Sequence, residues 1–366
     1  MKKTVAAAIV TYNRLELLKE SLTAVLNQGD RLGHVIVVDN QSSDGTREYL
    51  DGLTDPRLVI YHAKDNLGGA GGFNQAVRIF AEQLDDDFVW LMDDDTIAQP
   101  GSLQHLVDYT DQHPDVSFVN SQVRWGAIDG LPSWMNVTAP RGFTWSMDLQ
   151  GDNPAVEVVN STFVSVMFSR AMVMMVGLPQ KEYFIWGDDM EYTNRLANVY
   201  RGYMVLKSVV VHKSKENTVP GDIVRERDQS RLWRYRYEFR NRVLTARRIS
   251  KKELLKTLVR IYAYDLPRVT FKRHVAFRLK KMGMVFAGGF RGWFFRPKIE
   301  YPAGAKGQEK RSINVILHAR KLANPTKMVT VDEEVDLIQH GHLTDFEGAN
   351  DKADRYIKKA LADGFE

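Results

Sequence analysis

Three adjacent carboxylates, Asp93, Asp94 and Asp95, close the apolar run Phe88-Val-Trp-Leu-Met92. A short apolar run of this kind reads as a buried strand, which puts the acids at its C-terminal end. In an open parallel sheet, ligands bind outside that end of the strands. Neighbouring anions repel one another, so the cluster calls for a cation. An oxygen donor set favours a hard divalent ion, Mg2+ or Mn2+, and such an ion usually holds phosphates. The first reading is therefore a metal-dependent enzyme acting on a nucleotide diphosphate. A solvated acidic loop is the competing reading, and it is the one assigned to Asp85-Asp86-Asp87 just upstream.

A second acidic group follows in Trp186-Gly-Asp188-Asp189-Met-Glu191-Tyr-Thr-Asn-Arg195. On a helix, Asp188 and Glu191 share a face, and Arg195 lies one turn beyond Glu191, the spacing of a structural ion pair. Asp188 and Asp189, at the start of that helix beside an aromatic, are placed to act on a substrate. A carboxylate base can take the proton of a sugar hydroxyl. First-turn acids that merely offset the helix dipole are the alternative. His212 follows the β-branched run Val209-Val-Val211. A neutral imidazole there would complete a metal shell begun by Asp93 and Asp95, the alternative being a structural histidine.

Two further segments offer ligand contacts. Asp39 ends the run Val35 to Val38 and opens Asn-Gln-Ser-Ser-Asp44-Gly-Thr46. Its carboxylate can accept from a base N–H such as N3 of uracil or thymine, or can simply cap a turn. Asn66-Leu-Gly68-Gly69-Ala-Gly71-Gly72-Phe73-Asn74 is a glycine-rich turn into a helix. Glycines let backbone approach a ligand closely and a helix N-terminus favours phosphate, while tight helix–sheet packing is the plainer use.

The elements that must hold these residues alternate in the first hundred positions. Apolar runs at Val5 to Val10, Val35 to Val38, Leu58 to Tyr61 and Phe88 to Met92 are separated by helical patterns over Arg14 to Asn27, Thr46 to Leu53 and Ala70 to Leu84. That alternation predicts βαβ units, a mostly parallel α/β sheet with helices on both faces. Thr11-Tyr-Asn-Arg14, Asp39-Asn40 and the Asp93 group then fall along one sheet edge. No GxGxxG follows the first strand and no GxxxxGK[ST] or HExxH occurs, which argues against an NAD-type pocket, a P-loop and that zinc motif. From Val116 to Met175 the pattern becomes irregular, with Trp125, Trp134, Phe143 and Trp145 among Gly and Pro. Val156 to Phe168 alternates as one strand. This half is expected to face the substrate.

The chain has 366 residues and no cysteine. Disulfide and thiolate chemistry are excluded, and a reducing compartment fits. No apolar run approaches a membrane span. Lys2-Lys3 before Val5 to Val10 mimics a signal peptide but lacks its length and cleavage signature. Between Arg231 and Lys298 there are 20 Lys or Arg and three acids, Glu238, Glu253 and Asp265, although the whole chain carries only +4. A basic segment on an acidic body points to an anionic surface. Glu216 to Asp222, with Pro220-Gly221, reads as a boundary, giving residues 1–216 and 217–366 as two parts. Basic helices are expected over Arg225 to Arg248 and Lys251 to Tyr264, and a polar one over Ala349 to Leu361.

Taken together, Val10-Thr-Tyr-Asn-Arg14, Val37-Val-Asp39-Asn-Gln-Ser-Ser-Asp44-Gly-Thr46, Asp93 to Asp95, and Asp188-Asp189-Met-Glu191 with His212 resemble glycosyltransferase family 2, the GT-A fold. More narrowly, Asn66 to Phe73 followed by Leu91 to Asp95 is similar to bacterial galactofuranosyltransferases. Trp186-Gly-Asp188-Asp189 resembles their Trp-Asp-Asp motif with Gly187 inserted, which leaves Asp188 and Asp189 both open as the base, Asp189 being preferred. The resemblance implies that Thr11, Asn13, Arg14, Asp39, Asp93 and Asp94 contact the nucleotide, and that Asn66, Gly68 and Gly69 contact the donor sugar or phosphate. It further implies that Asp93, Asp95 and His212 bind Mn2+ or Mg2+, and that Asp189 deprotonates an acceptor hydroxyl held near Trp186 and Asp188, with inversion.

On this basis the expected donor is UDP-galactofuranose and the acceptor a glycan or lipid-linked glycan of the cell surface. The alternatives are dTDP-rhamnose on the same fold and a non-catalytic nucleotide- or glycan-binding relative. Known galactofuranan polymerases carry an extra N-terminal β domain, whereas this sequence opens on its first strand, so a single transfer is expected. Gln229-Ser-Arg-Leu-Trp233 has the letters of the processive QxxRW motif in the wrong order. Tyr235 to Arg242 resembles a segment of related rhamnosyltransferases. Arg291-Gly-Trp-Phe-Phe-Arg296 mixes cations and aromatics in the manner of a membrane interface. The expected location is cytoplasmic and peripheral on the inner membrane face. A solvated basic helical domain is the alternative, and no nucleic-acid partner is expected.

Overall fold

The computed structural model describes residues 2–141, 149–150, 152, 154–217, 221–305, 355 and 358–359. The strands are β1 (Val5–Thr11), β2 (Leu32–Asp39), β3 (Leu58–His62), β4 (Phe88–Asp93), β5 (Thr96–Ala98), β6 (Val116–Trp125), β7 (Ala155–Val158), β8 (Val166–Ser169) and β9 (Arg201–His212). Between them lie α1 (Leu15–Leu26), α2 (Thr46–Asp51), α3 (Gly68–Gln83), α4 (Ser102–Gln112), α5 (Arg170–Val176) and α6 (Asp188–Ala197). The strands all join one mixed sheet of order β3-β2-β1-β4-β8-β6-β9-β5, with β7 paired to β9.

β1 is buried along its whole length, as expected for a parallel strand covered on both faces. Its side chains alternate between two cores. Ala6, Ala8 and Val10 join Phe73, Phe80, Met172 and Tyr192 from α3, α5 and α6. Val5, Ala7 and Ile9 join Leu18, Leu22, Leu103 and Leu106 from α1 and α4. The period of two in the strand thus sends successive residues to opposite helical layers. The fold is thus the expected α/β sheet with helices on both faces, followed by a helical C-terminal region.

Register aligns the polar strand ends. Thr11 pairs with Asp39 across β1 and β2, and Val10 pairs with Asp93 across β1 and β4. β5 runs antiparallel to β9 and brings Thr96 opposite His212. The acids that end β4 and the histidine that ends β9 therefore meet, although they are far apart in sequence.

The span Val156 to Phe168, expected as one strand, is two. β7 pairs β9, whereas β8 inserts between β4 and β6. Residues 159–165 separate them, with Ser161 bonded at both its N–H and carbonyl to Thr193 of α6. Val116 to Trp125, inside the span expected to be irregular, is strand β6, with register shifts against β9 after Val116 and after Ser121. Phe143 and Trp145 lie outside the described residues.

The C-terminal region contains α7 (Arg234–Ile249), α8 (Lys251–Val259), α9 (Leu266–Phe271) and α10 (Arg278–Phe294), with a π-helical turn at Arg260–Asp265. The helix expected from Arg225 starts nine residues later, after a 3-10 turn at Gln229–Arg231. Tyr235, Phe239, Val243, Ile261, Val269 and Val285 form its core. The expected helix over Ala349 to Leu361 falls almost wholly outside the described residues. Beyond α10 the chain returns to the sheet domain, where Glu300 pairs with Arg78 and Lys181 and its carbonyl accepts from Leu178 N–H. Among the described residues no helix is long and apolar enough to cross a membrane.

Candidate active site

The three acids after β4 take different roles. Asp94 is buried and turned toward β1. It accepts from Thr11 Oγ1 at 2.8 Å, Tyr12 N at 3.4 Å and Arg14 Nη1 at 3.1 Å. Asp95 accepts from Arg14 Nη1 at 2.6 Å through Oδ2, while its Oδ1 lies 3.1 Å from His212 Nε2. That buried Oδ1 makes no well-aligned hydrogen bond. Asp93, Asp95 and His212 each offer a ligand atom, and these atoms lie within 4.8 Å of one another.

Electrostatics follow from this crowding. Burial, then the charge of Asp95, pushes Asp93 up to about 7. Burial pushes Asp94 up to about 6 against the pull of Arg14. Burial works in the same direction on Asp95, but His212 and Arg14 hold it below the usual carboxylate range. Burial opposes a charge on His212, yet Asp95 and Asp93 raise its pKa.

These residues fit a divalent cation. Two carboxylates supply hard oxygen ligands, Asp95 Oδ1 lacks a good protein partner, and the imidazole is oriented. His212 Nδ1 lies 3.0 Å from Asn136 Oδ1. An N–H at Nδ1 donating to that amide oxygen leaves Nε2 to face the acids, the arrangement that orients metal-binding histidines. Asn136 is itself tied to Ser133 Oγ and Thr162 Oγ1. Sequence reasoning missed Asn136, because it reaches the site from a loop between β6 and β7.

Along the same edge, Asp39 is buried and accepts from Ser42 N at 2.9 Å through Oδ1. Its Oδ2 lies 2.9 Å from His62 Nδ1, and His62 Nε2 lies 3.0 Å from Asp51. A carboxylate has lone pairs beyond these contacts. His62 ends β3 opposite Asp39, a pairing visible only once the register is known. Asn13 adopts a left-handed φ of 52°. Its N–H donates to Ser42 Oγ and its Oδ1 accepts from Ser43 N, so it ties the β1 end to the loop after β2.

The glycine-rich turn divides into two uses. Asn66 Oδ1 accepts from Gly68 N at 2.8 Å and starts α3. Gly68 has φ of +68°, and a Cβ there would sit 2.1 Å from the Phe184 carbonyl oxygen. A Cβ at Gly72 would sit 2.4 Å from Val10. Packing thus demands both. At Gly69 an added Cβ meets nothing within 4 Å, so packing does not account for that glycine. Asn40 Nδ2 donates to the Gly68 carbonyl and links the turn to β2.

α6 begins at Asp188, directly after Trp186 and Gly187, whose φ values are 64° and 90°. Asp188 is buried, and burial, then Asp189 and Asp93, raise its pKa well above the ordinary value. Burial pushes Asp189 up to about 6, partly offset by the Met190 N–H on its Oδ1. Asp188 thus lies near enough to Asp93 to feel its charge, which brings the two acidic groups of the sequence to one region of the domain. Glu191 forms the expected structural pair with Arg195 at 2.8 Å and also pairs with Arg248 of α7. Trp186 packs edge-on against Tyr235 at 5.3 Å and faces the guanidinium of Arg234 at 6.0 Å. Glu238 of α7, one of three acids in the basic segment, is held above its ordinary pKa by burial, with Asp189 adding to the rise.

Asp85 to Asp87 lie at the opposite, N-terminal end of β4. Asp86 is buried rather than solvated, 2.6 Å from His34 Nδ1. Asp87 accepts from Thr4 N.

Residues 7–168 match the glycosyl transferase family 2 domain. This stretch is a family 2 glycosyltransferase domain. The chain is 32% identical over 203 residues to galactofuranosyltransferase GlfT1 of Mycolicibacterium smegmatis, covering 53% of this chain and 65% of that protein. It is 29% identical over 204 residues to the GlfT1 of Mycobacterium tuberculosis, covering 54% and 65%. The match therefore spans just under two thirds of these relatives. Among solved structures, the fold is similar to GalNAc-T7 with UDP, GalNAc and Mn2+, at a TM-score of 0.53 and 14% identity, covering 80% of this chain and 56% of that one. It is also similar to S. aureus TarS at a TM-score of 0.50 and 15% identity, covering 87% and 52%.

Proposed function

We propose that this family 2 glycosyltransferase transfers galactofuranose from UDP-galactofuranose, with inversion, to a lipid-linked glycan of the cell surface. What supports the reading is the meeting of Asp93, Asp95 and His212 at the sheet edge, near enough to Asp188 at the start of α6 for the charge of Asp93 to raise its pKa. The similarity to two galactofuranosyltransferases supports the choice of sugar.

In this reading Asp39 recognises the uracil ring and Thr11, Asn13, Arg14 and Asp94 shape the nucleoside pocket. Asn66, Gly68 and Gly69 border the donor sugar. Asp93, Asp95 and His212 hold Mn2+ or Mg2+. Such an ion supplies charge neutralisation to the diphosphate leaving group. Asp189 accepts the proton of the acceptor hydroxyl, whose oxygen forms the new bond to the anomeric carbon. The bond from that carbon to the diphosphate oxygen breaks, and its electron pair leaves with UDP. Asp188, buried and disfavoured as an anion, keeps a proton and donates to the acceptor beside Trp186. Residues 1–216 carry this chemistry, and residues 217–366 brace the acceptor side and meet an anionic membrane from the cytoplasm.

The test is donor turnover. With Mn2+ and a synthetic acceptor lipid, UDP-galactofuranose is expected to be consumed and dTDP-rhamnose left intact. The reverse preference would overturn the sugar assignment, and turnover of neither would remove the catalytic reading.

A further inference from the structure

A groove of about 450 Å3 runs between α7 and α10 and is lined by Leu232, Trp233, Arg236, Lys280, Met284 and Arg291, among others. Its floor is apolar. Arg236, Lys280 and Arg291 are exposed at its edges, and none pairs with an acid among the described residues. No acidic residue lines it. An apolar channel with three uncompensated cations is complementary to an amphiphile with a hydrocarbon chain and a multiply charged anionic head.

Position adds to this. Along α10, Leu279, Phe286, Phe290, Trp293 and Phe294 are exposed. At 3.6 residues per turn they form one stripe, roughly opposite the buried Lys281, Val285, Gly288 and Gly292. The groove lies on the flank of that stripe, so a lipid held by a bilayer under α10 has a lateral way in. At its other end, Trp233 stacks edge-on with Phe184 at 6.0 Å, and the next residue, Arg234, sits over Trp186. Phe184 and Trp186 belong to the loop that ends at Asp188. The groove therefore joins an exposed aromatic surface to the acid loop.

We infer that the groove between α7 and α10 binds the lipid diphosphate end of the acceptor, with the chain on Leu232, Trp233 and Met284 and the diphosphate between Arg236, Lys280 and Arg291. This rests on the glycosyl-transfer reading above and locates its acceptor lipid. Binding there orients the attached sugar toward Asp189, while the outer stripe of α10 meets the membrane separately.

The probe is farnesyl diphosphate, titrated into the whole chain by calorimetry alongside inorganic pyrophosphate and farnesol. Farnesyl diphosphate should bind at least tenfold more tightly than either fragment. Ala287→Trp, which fills the groove, should weaken it at least tenfold. The exposed pair Lys280→Glu with Arg291→Glu should do the same while leaving farnesol binding within about twofold. Equal affinity for pyrophosphate, or unchanged binding in both variants, would overturn the proposal. Phosphatidylglycerol vesicles separate the two lipid sources. Ala287→Trp should pellet with them as the parent does, and parallel loss of vesicle and farnesyl diphosphate binding would show that the groove reads bilayer lipid instead. Thermal stabilisation by UDP with Mn2+ should be the same in all these proteins. Its absence from the parent would fault the glycosyl-transfer reading, whereas its presence with no groove binding would fault only the groove.

Discussion

Asn241 in α7 donates from Nδ2 to the carbonyl oxygen of Trp186 at 2.8 Å, and the same amide reaches the carbonyls of Ile185 at 3.0 Å and Tyr183 at 3.1 Å. Phe184 and Trp186 both have left-handed φ values, a conformation side chains rarely adopt. One buried side chain from the helical region thus holds the strained loop that delivers Asp188 and Asp189. Asn241→Ala is expected to lower turnover roughly 100-fold, because small misplacements of a reacting group are that costly. UDP affinity should change little. Steady-state kinetics beside UDP-induced thermal shifts would check this, and a loss confined to UDP binding would contradict it.

Asn136 offers a separate handle on the cation site. Removing a residue that orients a ligating histidine typically weakens metal binding about 10- to 100-fold. Asn136→Ala should therefore raise the Mn2+ concentration needed for half-maximal activity by about that factor, with full activity recovered at saturating metal. Titration of activity with MnCl2 measures it.

Proton linkage at Asp189 has opposite signs for activity and stability. As a base it must be ionised, so activity is expected to fall about tenfold per pH unit below about 6. For stability, the folded-state pKa of about 6 lies above that of an ordinary aspartate. The folded protein then holds a proton that the unfolded chain releases, so this contribution is full below about 4 and is lost as pH rises through about 6. Asp189→Asn should abolish turnover and flatten that part of the stability profile. A pH–rate profile and melting temperatures from pH 4 to 8 would show both, and full activity of Asp189→Asn would move the base elsewhere.

Glu191 tests the division between chemistry and scaffold. It is buried between Arg195 and Arg248 and joins α6 to α7. Removing one partner of a buried ion pair costs about 3–5 kcal/mol. Glu191→Ala should lose about that much stability to urea, far more than Asp189→Asn.

The parallel half of the sheet was legible because each strand is a short apolar run and each helix has its own period. Thr11, Asp39 and Asp93 could be placed on one edge from strand ends alone. Glu191–Arg195 was legible for the same local reason. Asn136, His62 and Asn241 were not, since they reach their partners through a loop, strand register and the docking of α7, none of which spacing encodes. The split of Val156 to Phe168 was hidden because both pieces alternate alike, and only sheet pairing separates them. Gly68 and Gly72 looked equivalent to Gly69 in sequence, and the bulk of Phe184 and Val10 makes them different.

The central claim is a nucleotide diphosphate held through a cation by Asp93, Asp95 and His212. Thermal unfolding with UDP and with dTDP, each in Mn2+ and in EDTA, tests it most directly, because a ligand that binds only the folded state must stabilise it. A rise in melting temperature with UDP and Mn2+ is expected, disappearing in EDTA and in Asp95→Ala, with a smaller rise for dTDP. An equal shift in EDTA, or none with either nucleotide, would contradict it.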